Sequence, residues 1–403
     1  MFEMDESIPL KRSLSQLLVM FYGLGTILGA GIYVLVGKVA AKAGIYTPFA
    51  FLLAAGIALF TAVSYAELSS RFPKSAGEAF YVQHAFAKAW LSRIVGWMVV
   101  LTGVVSAAAI TRGFTGYFQL FIPLPDWACI LLLVLVMGFI AIWGIKESAF
   151  MVMLITLIEV LGLVIIIYLA HDQIGSLPAL FDKAESFSVD VLTGIGAGAF
   201  LAFYSYIGFE DMVNVAEEIK DPERNLPRAI FLAFGIATVL YFLVALAMLS
   251  TMPLPILAAS DAPLATFMNM KGHSSLVIGF ISLIAIVNGA LAQVIMASRV
   301  MYGMAKQGTA PHYLGQVYAK TQTPVIATLV VVTIILILAL GFNIEGLAKI
   351  TSLIILVVFM LIHAALIKIK VRREVDVKAA AYSIAFPIVG LITSFLFFIS
   401  AFI

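Results

Sequence analysis

This chain of 403 residues predicts an all-α fold, a polytopic transmembrane helical bundle, on three observations. First, 63% of the residues are hydrophobic and 11% are charged, against roughly 45–50% and 25% in ordinary soluble domains. Second, the apolar residues sort into runs near the ~20 residues that a helix needs to cross the hydrocarbon layer. Third, Lys and Arg concentrate on alternate sides of those runs. A soluble core is excluded, because a soluble surface needs far more polar residues than this chain has.

About eleven spans are expected, at 14–40, 48–69, 90–118, 126–144, 149–170, 190–219, 227–251, 274–303, 324–342, 346–368 and 379–402. The tail 1–13 is polar and lacks a cleavable signal pattern, so it reads as a cytoplasmic N-terminal tail. The first span carries Gly23, Gly25, Gly29 and Gly31 at its centre. The second opens at Thr47-Pro48, where proline suits a first helical turn. Trp90 begins the third, and Trp127 and Trp143 bracket the fourth, as an interfacial aromatic belt would place them. Glu159 sits near the middle of the fifth, and Gly194, Gly196, Gly198 and Gly208 interrupt the sixth. Proline-bearing connections at 252–255 and 323–324 separate the later spans, and Pro387 is expected to kink the last. With the N-terminus inside, 18 of the 24 Lys and Arg fall on the cytoplasmic side. An odd span count then puts the C-terminus outside.

Spans 1 and 6 open two sets of five, at 14–170 and 190–368, with 379–403 as an additional helix. Glycine-interrupted helices at corresponding positions of two halves point to an inverted-repeat transporter with its site at the midplane. Close helix packing through Gly25-xxx-Gly29 is the other reading of the first cluster. Unwound backbone in a membrane exposes N–H and C=O groups that lipid cannot satisfy. The outer half of span 1, beginning near Gly31, would present free N–H groups to a carboxylate. Span 6, ending its outer half near Phe203-Tyr204, would present free carbonyls to an ammonium. An α-amino acid matches both.

Several stretches in order resemble one family, the amino acid–polyamine–organocation superfamily of secondary transporters. They are Gly29-Ala30-Gly31-Ile32-Tyr33, Tyr65-Ala66-Glu67-Leu68 leading to Arg71-Phe72-Pro73, Tyr206-Ile207-Gly208-Phe209-Glu210, Ala216-Glu217-Glu218 through Asp221-Pro222, and Ser298-Arg299 through Gly308. The resemblance covers nearly the whole chain. It implies the five-plus-five inverted-repeat fold and amino-acid transport by alternating access. It also implies substrate contacts at Gly29, Ala30, Gly31, Ser205, Tyr206, Ile207 and Gly208, with Phe203 or Tyr204 as an aromatic gate. Glu67 and Arg71 fall in the region of its inner gate, and an i,i+4 interfacial pair is the alternative. Glu210 is read as a helix cap with gating as a second role. In proton-coupled relatives a lysine holds the position of Glu159. In relatives that take cationic amino acids, an acid stands at the position of Thr102.

Glu159 is costly in lipid and should face the bundle interior. Burial disfavours its charged form, so it is the candidate coupling residue, with a proton as the expected ion and sodium as the alternative. No acid lies between Arg93 and Arg112, which favours neutral substrates, and Thr102, Ser106 and Asn288 are candidate pocket residues. An exchanger of amines or amino acids is a second reading. A membrane-embedded enzyme or a channel lacks a nucleophile cluster or a filter loop to support it. No cofactor or metal is expected: Cys129 stands alone and the five histidines show no metal spacing. With a net charge of +2, nucleic acid is not an expected partner. The expected partners are a small amino acid and the lipid bilayer, in the plasma (cell inner) membrane.

Overall fold

A computed structural model describes residues 12–74, 77–143, 149–175, 188–306, 308–318, 321, 323–372 and 379–402. Eleven principal helices follow in order. They are α1 (Gln16–Ala43), α2 (Thr47–Arg71), α3 (Ala89–Phe118), α4 (Asp126–Trp143), α5 (Ala149–Leu169) and α6 (Val189–Tyr204). They continue with α7 (Pro222–Thr251), α8 (Ser275–Lys306), α9 (Val325–Gly341), α10 (Ile344–Val371) and α11 (Ala385–Ser400). Short helices at Gly77–Phe86, Leu254–Ala259 and Pro263–Met270 occupy the longer connections. Among the described residues, seven helical stretches are long and apolar enough to cross a membrane, the first of which, Gln16–Arg71, contains both α1 and α2. Helices α6, α9 and α11 are shorter apolar helices, and α6 is continued by a 3-10 segment at Glu210–Glu218.

Local chemistry sets the ends of these helices. Ser15 caps α1 by accepting the Leu18 N–H at 3.4 Å, and Gly44, at φ 58°, ends it. Asn343 caps α10 through the Gly346 N–H at 2.8 Å. Pro387 was expected to kink the last span, but α11 begins only at Ala385. Proline is therefore in the first turn, where the helix has no intrahelical N–H bond to lose.

Several packing partners interchange when five is added to or subtracted from the helix number. α1 lies on α7 and α5 while α6 lies on α2 and α10, and α3 contacts α9 and α10 while α8 contacts α4 and α5. α1 also packs on α6, α2 on α7, α3 on α8 and α4 on α9. That is the pairing a five-plus-five bundle generates. α11 lies outside it against α2 and α10. Lipid-sized apolar side chains are exposed on α4 (Leu132, Leu135, Phe139) and α5 (Phe150, Leu157, Leu161), whereas nearly all of the centre of α1 is buried. Trp90, Trp127 and Trp143 are exposed at the helix ends.

On the N-terminal face, Ser13 N–H donates to the Glu218 carbonyl at 2.9 Å and Lys220 N–H to the Leu14 carbonyl at 2.9 Å. This strap joins the start of α1 to the end of the 3-10 segment.

Candidate functional site

Helix α1 is interrupted at Gly29, whose backbone (φ 10°, ψ −135°) is not helical. Helix α6 stops at Tyr204, and residues 205–208 form turns before the 3-10 segment. The two interruptions touch: a Cβ on Gly31 would lie 2.6 Å from the Ser205 Cα. Gly208, at φ 129°, lies so close to α1 that a Cβ there would sit 2.6 Å from the Thr26 carbonyl oxygen. Only glycine fits both the torsion and the gap.

Side chains take up part of the backbone polarity that these breaks release. The Tyr241 hydroxyl of α7 reaches the Ile27 carbonyl at 2.7 Å and the Ser205 carbonyl at 2.9 Å. Thr26 Oγ1 lies 2.8 Å from the Gly23 carbonyl and 2.9 Å from the Gly208 carbonyl. The Gly208 N–H donates to Glu210 Oε2 at 2.8 Å. Each hydroxyl has one proton for two acceptors, and the Gly208 carbonyl also accepts the Asp211 N–H at 3.2 Å.

A pocket opens at the crossing. Its walls are Thr26, Ile27, Gly29 and Gly31 of α1, Ser106 and Ile110 of α3, Tyr204 and Ile207 at the α6 break, and Gly289, Ala292 and Gln293 of α8. None of these side chains is charged. Ser106 Oγ and the Tyr204 hydroxyl are 3.0 Å apart, which fixes the tyrosine ring at the pocket edge.

Of the residues expected at the site, Gly29, Gly31, Ser106, Tyr204 and Ile207 line this pocket. Gly208 and Ser205 adjoin it through their backbones. Ala30 lies in α1, and its side chain is outside the described residues. Three other expected residues are not among those that line the pocket. Thr102 does not line the pocket, because its hydroxyl turns back to the Met98 carbonyl at 2.9 Å. Phe203 packs away from it, with ring centroids 6.2 Å from Phe359 and 5.5 Å from Phe397. Tyr206 stacks on Phe234 and Tyr241, behind the breaks. Thr26, Gln293 and Tyr241 were missed; each is a polar side chain inside an apolar run, a signal that asks for a buried partner.

Glu159 is fully buried, and its Oε1 accepts from Asn288 Nδ2 of α8 at 3.2 Å. Its Oε2 has no hydrogen-bond partner among the described residues. The Tyr33 hydroxyl of α1 donates to the Glu159 backbone carbonyl at 2.6 Å. A Cβ on Gly25 would meet Thr156 Oγ1 at 2.4 Å and Asn288 Nδ2 at 3.8 Å. The carboxyl therefore sits where α1, α5 and α8 meet, one turn from the α1 break.

Glu67 and Arg71 form the expected i,i+4 pair, with the Glu67 carboxylate fully buried. Its Oε1 accepts from Arg71 at 2.6 Å. Lys370 of α10 donates to Oε1 at 2.5 Å and to Oε2 at 2.7 Å. The Tyr382 N–H adds a bond to Oε2 at 3.2 Å. Glu210 caps the Gly208 N–H, in keeping with the capping reading. His363 of α10 is buried with Nδ1 2.9 Å from Ser64 Oγ and Nε2 3.1 Å from Thr61 Oγ1, both on α2. Among the described residues no group of His, Cys, Asp and Glu is arranged to hold a metal ion.

A family model described as amino acid permease matches residues 14–403. The chain is 28% identical to the branched-chain amino acid permease BcaP of Bacillus subtilis, over 97% of this chain and 88% of that protein. It is 29% identical to the vacuolar cationic amino acid transporter 4 of Arabidopsis thaliana, over 86% of this chain and 61% of that longer protein. It is also 28% identical to the methylthioribose transporter of Bacillus subtilis, over 97% and 88%.

Proposed function

Since this chain belongs to the amino acid permease family, we propose that it takes up neutral amino acids by proton-coupled alternating access. Amino-acid transport through a multi-pass helical membrane protein is the family's activity, and the chain is a transporter rather than an enzyme. The finer reading is carried by one observation: two interrupted helices meet at a pocket that has no charged wall, with the Ile27 and Ser205 carbonyls brought together on the Tyr241 hydroxyl. The free N–H groups of α1 beyond Gly29 suit a substrate carboxylate, and the carbonyls of Ile27 and Ser205 suit its ammonium. Ile110, Ile207 and Ala292 then face the substrate side chain, which favours an uncharged, apolar one. Relatives named for branched-chain and for cationic amino acids bracket this choice, and the uncharged side chains that line the pocket support the former reading.

The two helical repeats are 14–170 and 190–368, with the N-terminus cytoplasmic and the chain in the cell membrane. Glu159 is the coupling group. Its free Oε2 accepts a proton, and its contact with α1 makes that proton sensitive to the state of the break. Sodium at the same carboxylate is the second reading, with Asn288 and Glu159 as oxygen ligands.

Reconstituted vesicles test this reading. With an imposed proton gradient they are expected to accumulate a neutral amino acid uphill, without sodium. Glu159→Gln is expected to reduce accumulation to downhill equilibration and to flatten its pH dependence, while equilibrium binding persists. Undiminished uphill accumulation in that variant removes Glu159 from coupling. Strict dependence on a counter-substrate inside the vesicle establishes exchange in place of symport.

The pocket edge gives a milder prediction. Ser106→Ala releases the Tyr204 hydroxyl from one of its two partners, the other being the Ser106 carbonyl at 3.2 Å. Substrate affinity is expected to weaken about 3- to 10-fold, in the range of one lost hydrogen bond. Unchanged affinity by calorimetry excludes this role for the hydroxyl pair.

A further inference from the structure

Away from the pocket, three carboxyl groups come together on the N-terminal face of the bundle. Glu78 of the helix Gly77–Phe86 and the neighbours Glu210 and Asp211 are 4%, 4% and 6% exposed. That helix is seated directly on the 3-10 segment: a Cβ on Gly77 would lie 2.3 Å from Val213 Cγ2. None of the three acids has a basic partner among the described residues. Cations of the neighbouring segments have other partners: Arg71 and Lys370 on Glu67, Lys74 on Glu217, and Lys368 over the ring of Phe86. Neutral donors reach all three acids, with the Tyr65 hydroxyl 3.2 Å from Glu78 Oε1, the Gly208 N–H 2.8 Å from Glu210 Oε2 and Gln293 Nε2 3.1 Å from Asp211 Oδ2. Gln293 also lines the substrate pocket. A second, independent feature points into the cluster. The Tyr81 hydroxyl, one turn from Glu78 and fully buried, has no hydrogen-bond partner among the described residues, and the Tyr81 ring edge lies at the Gly77–Val213 contact, 3.4 Å from where a Gly77 Cβ would stand.

We propose that Glu78, Glu210 and Asp211 form a proton-holding site between the pocket and the N-terminal face, through which the coupling proton passes. This rests on the proton-coupled reading above. Buried carboxylates in mutual range cannot all ionise without a cation, so the group retains protons. One proton moves at a time, from the carboxyl of one residue to the carboxylate of the next, and Glu78 returns it to water at the face. Tyr81 supplies the unused hydroxyl that can receive or donate beside Glu78. Burial pushes the Glu78 carboxyl up to about 7, with the Asp211 charge adding to the rise and hydrogen bonds from backbone and Tyr65 opposing it. His84, on the same helix, is stacked between Phe72 and Phe80.

The test varies pH separately on the two faces of vesicles carrying the full chain. Wild-type uptake is expected to change several-fold as the N-terminal-face pH moves from about 6 to about 8. Glu78→Gln should cut that change to less than about twofold, leave the dependence on the opposite face intact, and be rescued by Glu78→Asp. Stability offers a second readout. The folded state holds the Glu78 proton more tightly than the unfolded chain, so this group lowers stability as pH rises from 4.5 to about 7. Glu78→Gln should remove that slope. Full retention of N-terminal-face pH dependence in Glu78→Gln overturns the assignment. Sodium-driven uptake that ignores pH on both faces overturns the proton-coupled reading itself, and the assignment with it.

Discussion

Gly208→Ala is expected to abolish substrate binding and transport, and Gly208→Leu to do so more severely. The reason lies in two independent constraints. At φ 129° a side chain is strained whatever room it has. A Cβ would also approach the Thr26 carbonyl oxygen to 2.6 Å and its carbon to 2.7 Å. Both are backbone atoms of α1, so relief requires the two breaks to separate. Separation removes the Thr26–Gly208 hydrogen bond and pulls the Ser205 carbonyl from the Tyr241 hydroxyl that also serves Ile27. The carbonyls that would converge on an ammonium then no longer converge. Gly56→Ala is the control: it has nothing within 4 Å, and it should bind as wild type. A ligand-induced thermal shift for each variant reads the difference. Wild-type affinity in Gly208→Ala would falsify the assignment of the site to the crossing of the breaks.

Glu67→Ala should cost about 3–5 kcal/mol of stability, the range for removing one member of a buried ion pair. The carboxylate is fully buried, while the Lys370 and Arg71 side chains are 11% and 10% exposed. Removing it takes their shared carboxylate from two largely buried cations, and Lys370 keeps the Tyr382 carbonyl at 2.6 Å. It also frees the Tyr382 N–H, and with it the lead-in to α11. Ser70, on the same turn of α2, bonds both the Ala380 N–H at 2.8 Å and the Glu223 carbonyl at 2.6 Å. The end of α2 thus fastens α7, α10 and the start of α11 together. Glu67→Gln, which keeps the shape and one acceptor, should lose less. Pairing Glu67→Ala with Lys370→Met should recover part of the loss, because one stranded charge is gone. Denaturation in detergent measures all three, and a loss below about 1 kcal/mol in Glu67→Ala would show the cluster to be solvated.

The bundle was legible because the bilayer imposes one rule on every span: a run of apolar residues of helical length, with charges outside it. Eleven such runs correspond in order to the eleven principal helices. The broken helices were legible too, since glycine at mid-membrane in two corresponding spans is rarely accidental. Glu159 stood out for the same reason. The choice among neighbours was less accessible. Phe203 and Tyr204 differ by one residue, about 100° around a helix, and only the rotation of α6 against α3 and α10 decides which faces the pocket. Thr102 and Ser106 share a face of α3. The first satisfies itself on the Met98 carbonyl, and the second finds Tyr204 within reach.

Composition and spacing alone determined the class of molecule, its helices, the position of the two breaks and the single carboxyl in span 5. These follow from free energies of transfer, which depend on residue type and local run length and on nothing distant. Tertiary structure decided which polar groups meet. Tyr241 bridges Ile27 and Ser205, residues 214 and 36 positions away, and Lys370 meets Glu67 across 303 positions. Hydrogen bonds and ion pairs act over about 3 Å with strict geometry, so a partner so far along the chain is fixed only once the helices have packed.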